Sequence, residues 1–204
     1  MSRRLRELAY DPAAAQLIDD LAPGLHEAGN PYLDWLFGDP ETALHAVCGW
    51  LRRDSSELSV RRVTVLERDE RLAGAFVGVD GADMPACARA DGVAALEAVG
   101  REGRAGFLRR ARSAAGLRRP VEADQWLLSK LWVAPGERGA GLGRLLVREF
   151  VAAGERRGLP RCRVDARADD TPVLRLYESE GFEQRSVAHN PDGTIGVVEM
   201  VREP

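Results

Sequence analysis

The sequence predicts a mixed α/β (α+β) fold, and three observations predict it. Short β-branched apolar runs and longer runs of helical period follow one another along the chain. Two pairs of strand-like runs are separated by polar turns, as in hairpins. One strand-like run, Trp126 to Val133, leads through a glycine-rich turn directly into a helix-like run. At 204 residues the chain can bury a sizeable core, and one domain over 1–204 is expected.

Each element has its own warrant. Leu5 to Tyr10 is a short first strand. Asp11-Pro12 opens a helix whose Leu17, Ile18, Leu21 and Leu25 share one face. Gly29-Asn30-Pro31 breaks it. Tyr32 to Phe37 is a short aromatic piece, and Asp39-Pro40 caps a second helix running to about Arg53. Val60 to Leu66 and Leu72 to Val79 are strands, with Arg68-Asp69-Glu70 marking a hairpin between them. The interval 82–119 is alanine-rich and helical, interrupted at Gly92, Gly100, Gly103, Gly106 and Gly116. Val93, Leu96, Val99, Phe107 and Leu108 give it apolar surface to bury, which a bare linker lacks.

Val121 to Val133 is the next strand. Leu142, Leu145, Leu146, Phe150 and Ala153 then line one helix face, which stops at Gly158 with Pro160 beyond. Cys162 to Arg167 is a strand, and a helix around Tyr177 follows it. Phe182 to His189 and Thr194 to Val201 form a last hairpin, turning at Asn190-Pro191-Asp192-Gly193.

Composition narrows the function class. Hydrophobic residues make up 45% and charged residues 30%, ordinary for a soluble globular protein. A net charge of −3 carries no signature of nucleic-acid or membrane-surface binding. Met1-Ser2-Arg3-Arg4 is not followed by an apolar leader segment, and no apolar run reaches spanning length, so a cytoplasmic protein is expected. Cys48, Cys87 and Cys162 are scattered, with neither metal spacing nor a disulfide framework; no metal is expected. Lys130 is the single lysine in an arginine-rich chain, a bias read first as genome composition.

The glycine turn carries the first chemical signal. In Glu137-Arg138-Gly139-Ala140-Gly141-Leu142-Gly143, glycines let backbone N–H groups approach an anion, and the helix start adds unpaired donors. The P-loop requires Lys and Ser/Thr after its second glycine; Leu142 and Gly143 stand there. The dinucleotide pattern G-x-G-x-x-G does not close either, because its third position falls on Arg144 or Leu146. A glycine turn without ligand remains an alternative on this loop alone.

What is left is Arg138-x-x-Gly141-x-Gly143, which resembles the acyl-CoA pyrophosphate loop of the GNAT-type N-acetyltransferase superfamily. A second segment, Asp170 to Phe182, resembles the family's later motif N-x-x-A-x-x-L-Y-E-x-x-G-F. Leu176, Tyr177, Glu178, Gly181 and Phe182 match it; Asp170 and Val173 replace the usual Asn and Ala. The resemblance spans Trp126 to Phe182 and elsewhere rests on element order. It implies a mixed, mainly antiparallel, twisted sheet of about seven strands flanked by helices. It also makes 82–119 a helical insertion between the third and fourth strands. The two central strands are expected to splay.

The resemblance implies acetyl-CoA as co-substrate and a primary amine, on a small molecule or a peptide, as acceptor. The main-chain amides of Arg138, Gly139, Ala140, Gly141, Leu142, Gly143 and Arg144 would cradle the pyrophosphate. The backbones of Leu131, Trp132 and Val133 would pair with the pantetheine arm, one amide facing the thioester oxygen. Tyr177 would be the general acid for the departing thiolate: a phenol of reference pKa about 10 stays protonated at neutral pH. A buried structural tyrosine is the competing reading.

Glu122, Asp124, Ser129 and Asp165 are weak candidates for the general base. Asn30, Tyr32, Asp34, Trp35 and Phe37 lie between the first two helices, where they form either an acceptor wall or a hydrophobic staple. Arg101, Arg104, Arg109, Arg110 and Arg112 either meet an anion or form a solvated helix face. No cysteine suits an acyl-enzyme, so direct attack in a ternary complex is expected. A catalytically silent acyl-CoA-binding sensor or regulatory domain is the alternative function. A homodimer through the last hairpin or an edge strand stays open.

Overall fold

A computed structural model of the chain describes residues 3–7 and 15–204. The strands are β1 (Arg3–Glu7), β2 (Val63–Arg68), β3 (Arg71–Asp80), β4 (Gln125–Val133), β5 (Arg161–Arg167), β6 (Glu183–His189) and β7 (Gly196–Arg202). The helices are α1 (Ala15–Ala28), α2 (Tyr32–Phe37), α3 (Pro40–Leu51), α4 (Met84–Ala114), α5 (Leu142–Arg156) and α6 (Thr171–Ser179). The seven strands form one sheet in the order β1-β2-β3-β4-β5-β7-β6. Every neighbouring pair is antiparallel except β4–β5, which is parallel. This is the mainly antiparallel seven-strand sheet that the resemblance implied.

Local chemistry explains the elements. The β2–β3 hairpin turns through Asp69 and Glu70, both at positive φ (49° and 64°), the hand that matches strand twist. The side chain of Asp39 accepts from the Thr42 amide at 2.8 Å, and Pro40 opens α3 behind it. Strand alternation then sorts the core into two layers. Val63, Val65, Ala75, Val77, Val79 and Leu127 meet α1 to α4 on one face. Phe76, Trp126, Leu128, Val164 and Met200 meet α5 and α6 on the other.

Several boundaries differ from expectation. Residues 8–14, which include the predicted helix opening at Asp11-Pro12, lie outside the described residues. The piece between the two predicted helices is itself the short helix α2. The fourth strand begins at Gln125 rather than Val121, because the Gln125 amide and side chain close a turn on Glu122. The insertion is a single run of helix kinked only at Gly100 (φ 60°, ψ −170°). Gly92, Gly103 and Gly106 stay helical: a helical glycine costs only about 1 kcal/mol relative to alanine. Burial of Cys87, Ala94, Ala95 and Phe107 offsets it.

The insertion is anchored on the α2–α3 side. Phe107 packs on Phe37 with ring centroids 5.3 Å apart, and Trp50 donates to the Asp91 carbonyl at 3.1 Å. Arg110 caps α2, donating to the carbonyls of Leu36 and Phe37 at 2.8 and 2.9 Å. Arg101, Arg104, Arg109 and Arg112 lie on its exposed face.

Asp91 makes this packing sensitive to pH. Its Oδ2 accepts from the Glu57 amide at 3.1 Å, while its Oδ1 is buried with no partner among the described residues. Burial pushes its carboxyl up to about 6. A raised folded-state pKa on an acid adds stability below the unfolded value and loses it as pH rises through the folded one. Stability should therefore decline between about pH 4 and pH 6 from this group, by about 1.4 kcal/mol per pKa unit. In denaturant titrations, Asp91→Asn should remove that decline; an unchanged slope would contradict the assignment.

Candidate active site

The site begins where the sheet opens. β4 and β5 pair from Gln125–Arg161 to Leu128–Val164 and no further, although β4 continues to Val133 and β5 to Arg167. A bulge coincides with the opening: Val77 pairs with Lys130 and Gly78 with Leu128, leaving Ser129 extra. The extra residue puts two consecutive side chains on the α1–α4 face. Ser129 reaches Glu57 there, and Lys130 lies under Gly29. Past the bulge, the Ala134 amide faces β3 and the Val133 carbonyl faces away, accepting from Arg138. Alternation then turns the amides of Leu131 and Val133 into the gap and that of Trp132 towards β3.

The glycine turn stands at the wide end of the gap. Gly139 and Gly141 hold φ of 79° and 77°, a region costly for any residue with a Cβ. α5 starts after Gly141 with no side-chain cap. Described hydrogen bonds occupy the amides of Glu137, Arg138 and Leu145, but none from Gly139 to Arg144. Consecutive free amides at a helix start are an anion cradle, reinforced by the helix dipole. Arg138 leans across the gap instead, donating to the Val133 carbonyl at 3.1 Å and to Glu27 of α1 at 2.5 Å. Glu27 also accepts from the Trp132 ring at 3.0 Å. The Arg138 hydrogen bond accordingly holds the Glu27 carboxyl below the usual range. Arg144 and Arg148 both pair with Glu180 on the α5–α6 surface.

Tyr177 lies behind the gap, on the α5–α6 face. Its residue is 4% exposed and its ring meets Phe182 at 5.7 Å. Burial, with Asp170 nearby, raises the phenol above its ordinary range. No described residue accepts from its hydroxyl, and the hydroxyl is not among the atoms sealed from solvent. Asp170 preserves the α6 cap, its side chain accepting from the Val173 amide at 3.2 Å.

On the opposite face, a charged cluster fills the narrow end of the gap. Glu57, in the segment after α3, accepts from Ser129 Oγ at 2.5 Å and from Arg118 at 3.4 Å. Arg118 follows the insertion helix and also donates to Asp165 at 2.8 Å. Asp165 takes two further bonds, at 3.0 and 3.2 Å, from the buried Arg163, which also holds the carbonyls of Arg119 and Pro120. Lys130 donates to the Ser129 carbonyl at 3.1 Å, and its ammonium is pushed down by burial. Glu57 stays below the ordinary carboxylate range although burial opposes it, because Arg118, Lys130 and Ser129 favour its charge.

The sequence candidates separate accordingly. Ser129 and Asp165 come together at the gap. Glu122 and Asp124 do not: they lie in the turn before β4, at its closed end, and pair with Arg161. Of the aromatic segment, Phe37 is core, meeting Trp50 edge-on and Phe107 at a tilt. Tyr32 borders the charged cluster, with burial raising its phenol and Arg118 and Glu57 acting on it. Asn30 and Asp34 join His26 in a hydrogen-bonded knot, and Arg167 donates to the Asn30 carbonyl. Glu57 and Arg118 carry no motif and were not legible; of this cluster the sequence pointed only to Ser129, Asp165 and Tyr32.

A cavity of 360 Å³ beside Arg61, Asp80, Trp126 and Arg157 lies at the closed end of the β4–β5 pair and takes no part in this site. Cys162 is buried under α5 with its thiol pushed up to about 12, far from a thiolate. Among the described residues no three His, Cys, Asp or Glu side chains group to hold a metal ion, and no helix is long and apolar enough to cross a membrane.

The turn geometry is testable by one methyl group. A Cβ at Gly141 meets nothing within 4 Å, so Gly141→Ala strains only the backbone. It should cost about 1–2 kcal/mol in urea unfolding and weaken acetyl-CoA binding. Unchanged stability and affinity would mean that the positive φ is not required.

Comparison with known proteins agrees with this geometry. Residues 23–182 match the model of the Acetyltransferase (GNAT) family. A stretch of 70 residues is 31% identical to the [ribosomal protein bS18]-alanine N-acetyltransferase of Escherichia coli K12, covering 34% of this chain and 47% of that protein. The chain thus spans about half the length of the curated relatives it matches. An N-acetyltransferase from Staphylococcus aureus Mu50 superposes with a TM-score of 0.73 over 97% of this chain and 99% of that one, at 11% identity. A Bacillus subtilis acetyltransferase solved with CoA gives 0.57 over 100% and 99%, at 14% identity. With a family match across most of its length, a parted β4–β5 pair and a glycine cradle at the α5 start, the chain belongs to the GNAT acetyltransferase family.

Proposed function

We propose that the chain is an acetyl-CoA-dependent N-acetyltransferase, moving an acetyl group to a primary amine by direct attack in a ternary complex. The observation that carries this reading is the gap between β4 and β5, with free amides at its wide end and the Tyr177 hydroxyl behind it. Acetyl-CoA supplies an activated acyl thioester. The amides from Gly139 to Arg144 bind its pyrophosphate, with Arg138 exchanging Glu27 for phosphate oxygens. Leu131 and Val133 offer backbone donors along the pantetheine arm, and an amide at this edge polarises the thioester carbonyl.

Tyr177 gives its proton to the departing sulfur. Its raised pKa suits that role, since the phenol keeps its proton throughout neutral and mildly alkaline pH. Cys87 and Cys162 are buried with their thiols pushed up by burial, so neither offers a nucleophile for an acyl-enzyme, which supports direct attack. The acceptor is a primary amine of a peptide or small molecule. The match to a [ribosomal protein bS18]-alanine N-acetyltransferase supports an amine acceptor, and the open oxygen of Glu57 is the polar group the gap offers it.

Thermal unfolding with acetyl-CoA, against ATP and NAD controls, tests the binding half. Ligand at a hundredfold excess over its dissociation constant should stabilise the fold by about 3 kcal/mol. Tyr177→Phe should keep that shift and lose about 10²-fold or more in turnover. The wild-type rate should show no alkaline decline from Tyr177 below about pH 10. Full turnover by Tyr177→Phe would remove the general acid from the account.

A further inference from the structure

We propose that Glu57 is the residue that receives the acceptor's ammonium and removes its proton, in a subsite closed on its outer side by Arg118 of the insertion. This rests on the acetyltransferase reading and adds to it the residue that handles the nucleophile.

The geometry selects Glu57 over its neighbours. Asp165 is nearer the strand edge, but both its oxygens are taken: Oδ1 by Arg163, and Oδ2 by Arg163 and Arg118. Three N–H groups from two guanidiniums crowd this carboxylate and leave little room for an incoming ammonium. Glu57 is held by one oxygen only. Its Oε1 takes Ser129 and Arg118, whereas its Oε2 has no partner among the described residues. That oxygen is also not among the atoms sealed from solvent, although the side chain is only 15% exposed. A carboxylate anchored at one oxygen and open at the other is the arrangement a positioned proton acceptor needs.

Its place in the fold fits the reaction. The Ser129 that holds it is the bulge residue at the point where β4 leaves β5, so the carboxylate stands at the narrow end of the gap. It lies on the α1–α4 face, opposite the face that carries Tyr177. An amine arriving past Glu57 therefore meets the acyl carbon from one side of the sheet while the sulfur is protonated from the other. The Asp91 side chain fixes the Glu57 backbone by accepting from its amide. The groups facing the carboxylate are Tyr32 of α2, Cys87 and Asp91 of α4, Arg118 after it and Lys130 of β4, with Asp165 of β5 sharing Arg118. The cations among them keep Glu57 ionised at neutral pH.

The acceptor ammonium loses two protons. Glu57 takes the first to solvent, and the freed amine forms its C–N bond to the acyl carbon as the C–S bond breaks. Tyr177 protonates the sulfur and regains its own proton from the second.

Glu57→Gln keeps the side chain's shape and its Ser129 contact but cannot accept the proton. It should lower kcat/KM for amines by about 10²-fold or more, weaken amine binding to the CoA-loaded protein in calorimetry at least fivefold, and leave the acetyl-CoA thermal shift unchanged. Raising pH, which deprotonates the amine in solution, should recover part of the lost rate. The probes are a peptide with a free N-terminal alanine, spermidine and Nα-acetyl-lysine amide. Ser129→Ala, which removes one anchor and leaves Oε2 open, should fold normally and lose activity only several-fold. Wild-type turnover by Glu57→Gln with unchanged amine affinity would overturn the proposal while leaving the acetyltransferase reading intact. A wild type that acetylates none of the probes overturns it as well, and the acetyl-CoA shift then decides whether the broader reading falls with it.

Discussion

The parting of β4 from β5 is the constraint on which the site depends. A parallel pair in the middle of a sheet normally shares every hydrogen bond, and an unpaired backbone group in a core is costly. Here four residue pairs are made, and then the strands separate while both keep their outer partners, β3 and β7. The donors and acceptors left along β4 must be met by something that enters the gap. On the proposed function, the pantetheine arm of acetyl-CoA is such an occupant, and the amides at the start of α5 would meet its anionic end.

The bulge at Ser129 lets one strand serve both layers. Below it, Leu127 faces α1 to α4 and Leu128 faces α5 and α6. Above it the phase has shifted, so Leu131 and Val133 return to the α5–α6 core while Ser129 and Lys130 share the other face. Were Ser129 paired regularly instead of bulged, alternation would point Lys130 into the apolar layer around Tyr177. The shift instead gathers the polar side chains on the face that α1, α2 and the insertion cover. The insertion then has a chemical consequence: through Asp91 and Arg118 it holds Glu57 from both its backbone and its side chain.

Much of this was legible in the sequence, and the rest was not for definite reasons. The hairpin at Asp69-Glu70, the Asp39 cap and the glycine turn are local, so the residues that cause them sit beside the structure they cause. The helix carrying Tyr177 was legible because Leu176, Glu178, Gly181 and Phe182 form a contiguous pattern around it. Glu57 was not, because its partners Arg118, Ser129 and Asp91 are distant in sequence and join only when the sheet and insertion assemble. Glu122 and Asp124 looked eligible as acids near β4, but they fall at its closed end. The five glycines of 82–119 suggested repeated breaks; packing against α2 and α3 overrode Gly92, Gly103 and Gly106, while Gly100 kinks α4 and Gly116 falls in the turn after it.

On the proposed function, acetyl-CoA completes the unpaired edge of β4. Residue-resolved amide hydrogen exchange, with and without acetyl-CoA, tests it most directly. The predicted result is new protection at Leu131, Val133 and the amides from Gly139 to Arg144, with the β6–β7 hairpin unchanged. Protection confined to the cavity beside Arg61 and Arg157, with Leu131 and Val133 exchanging as before, would contradict it.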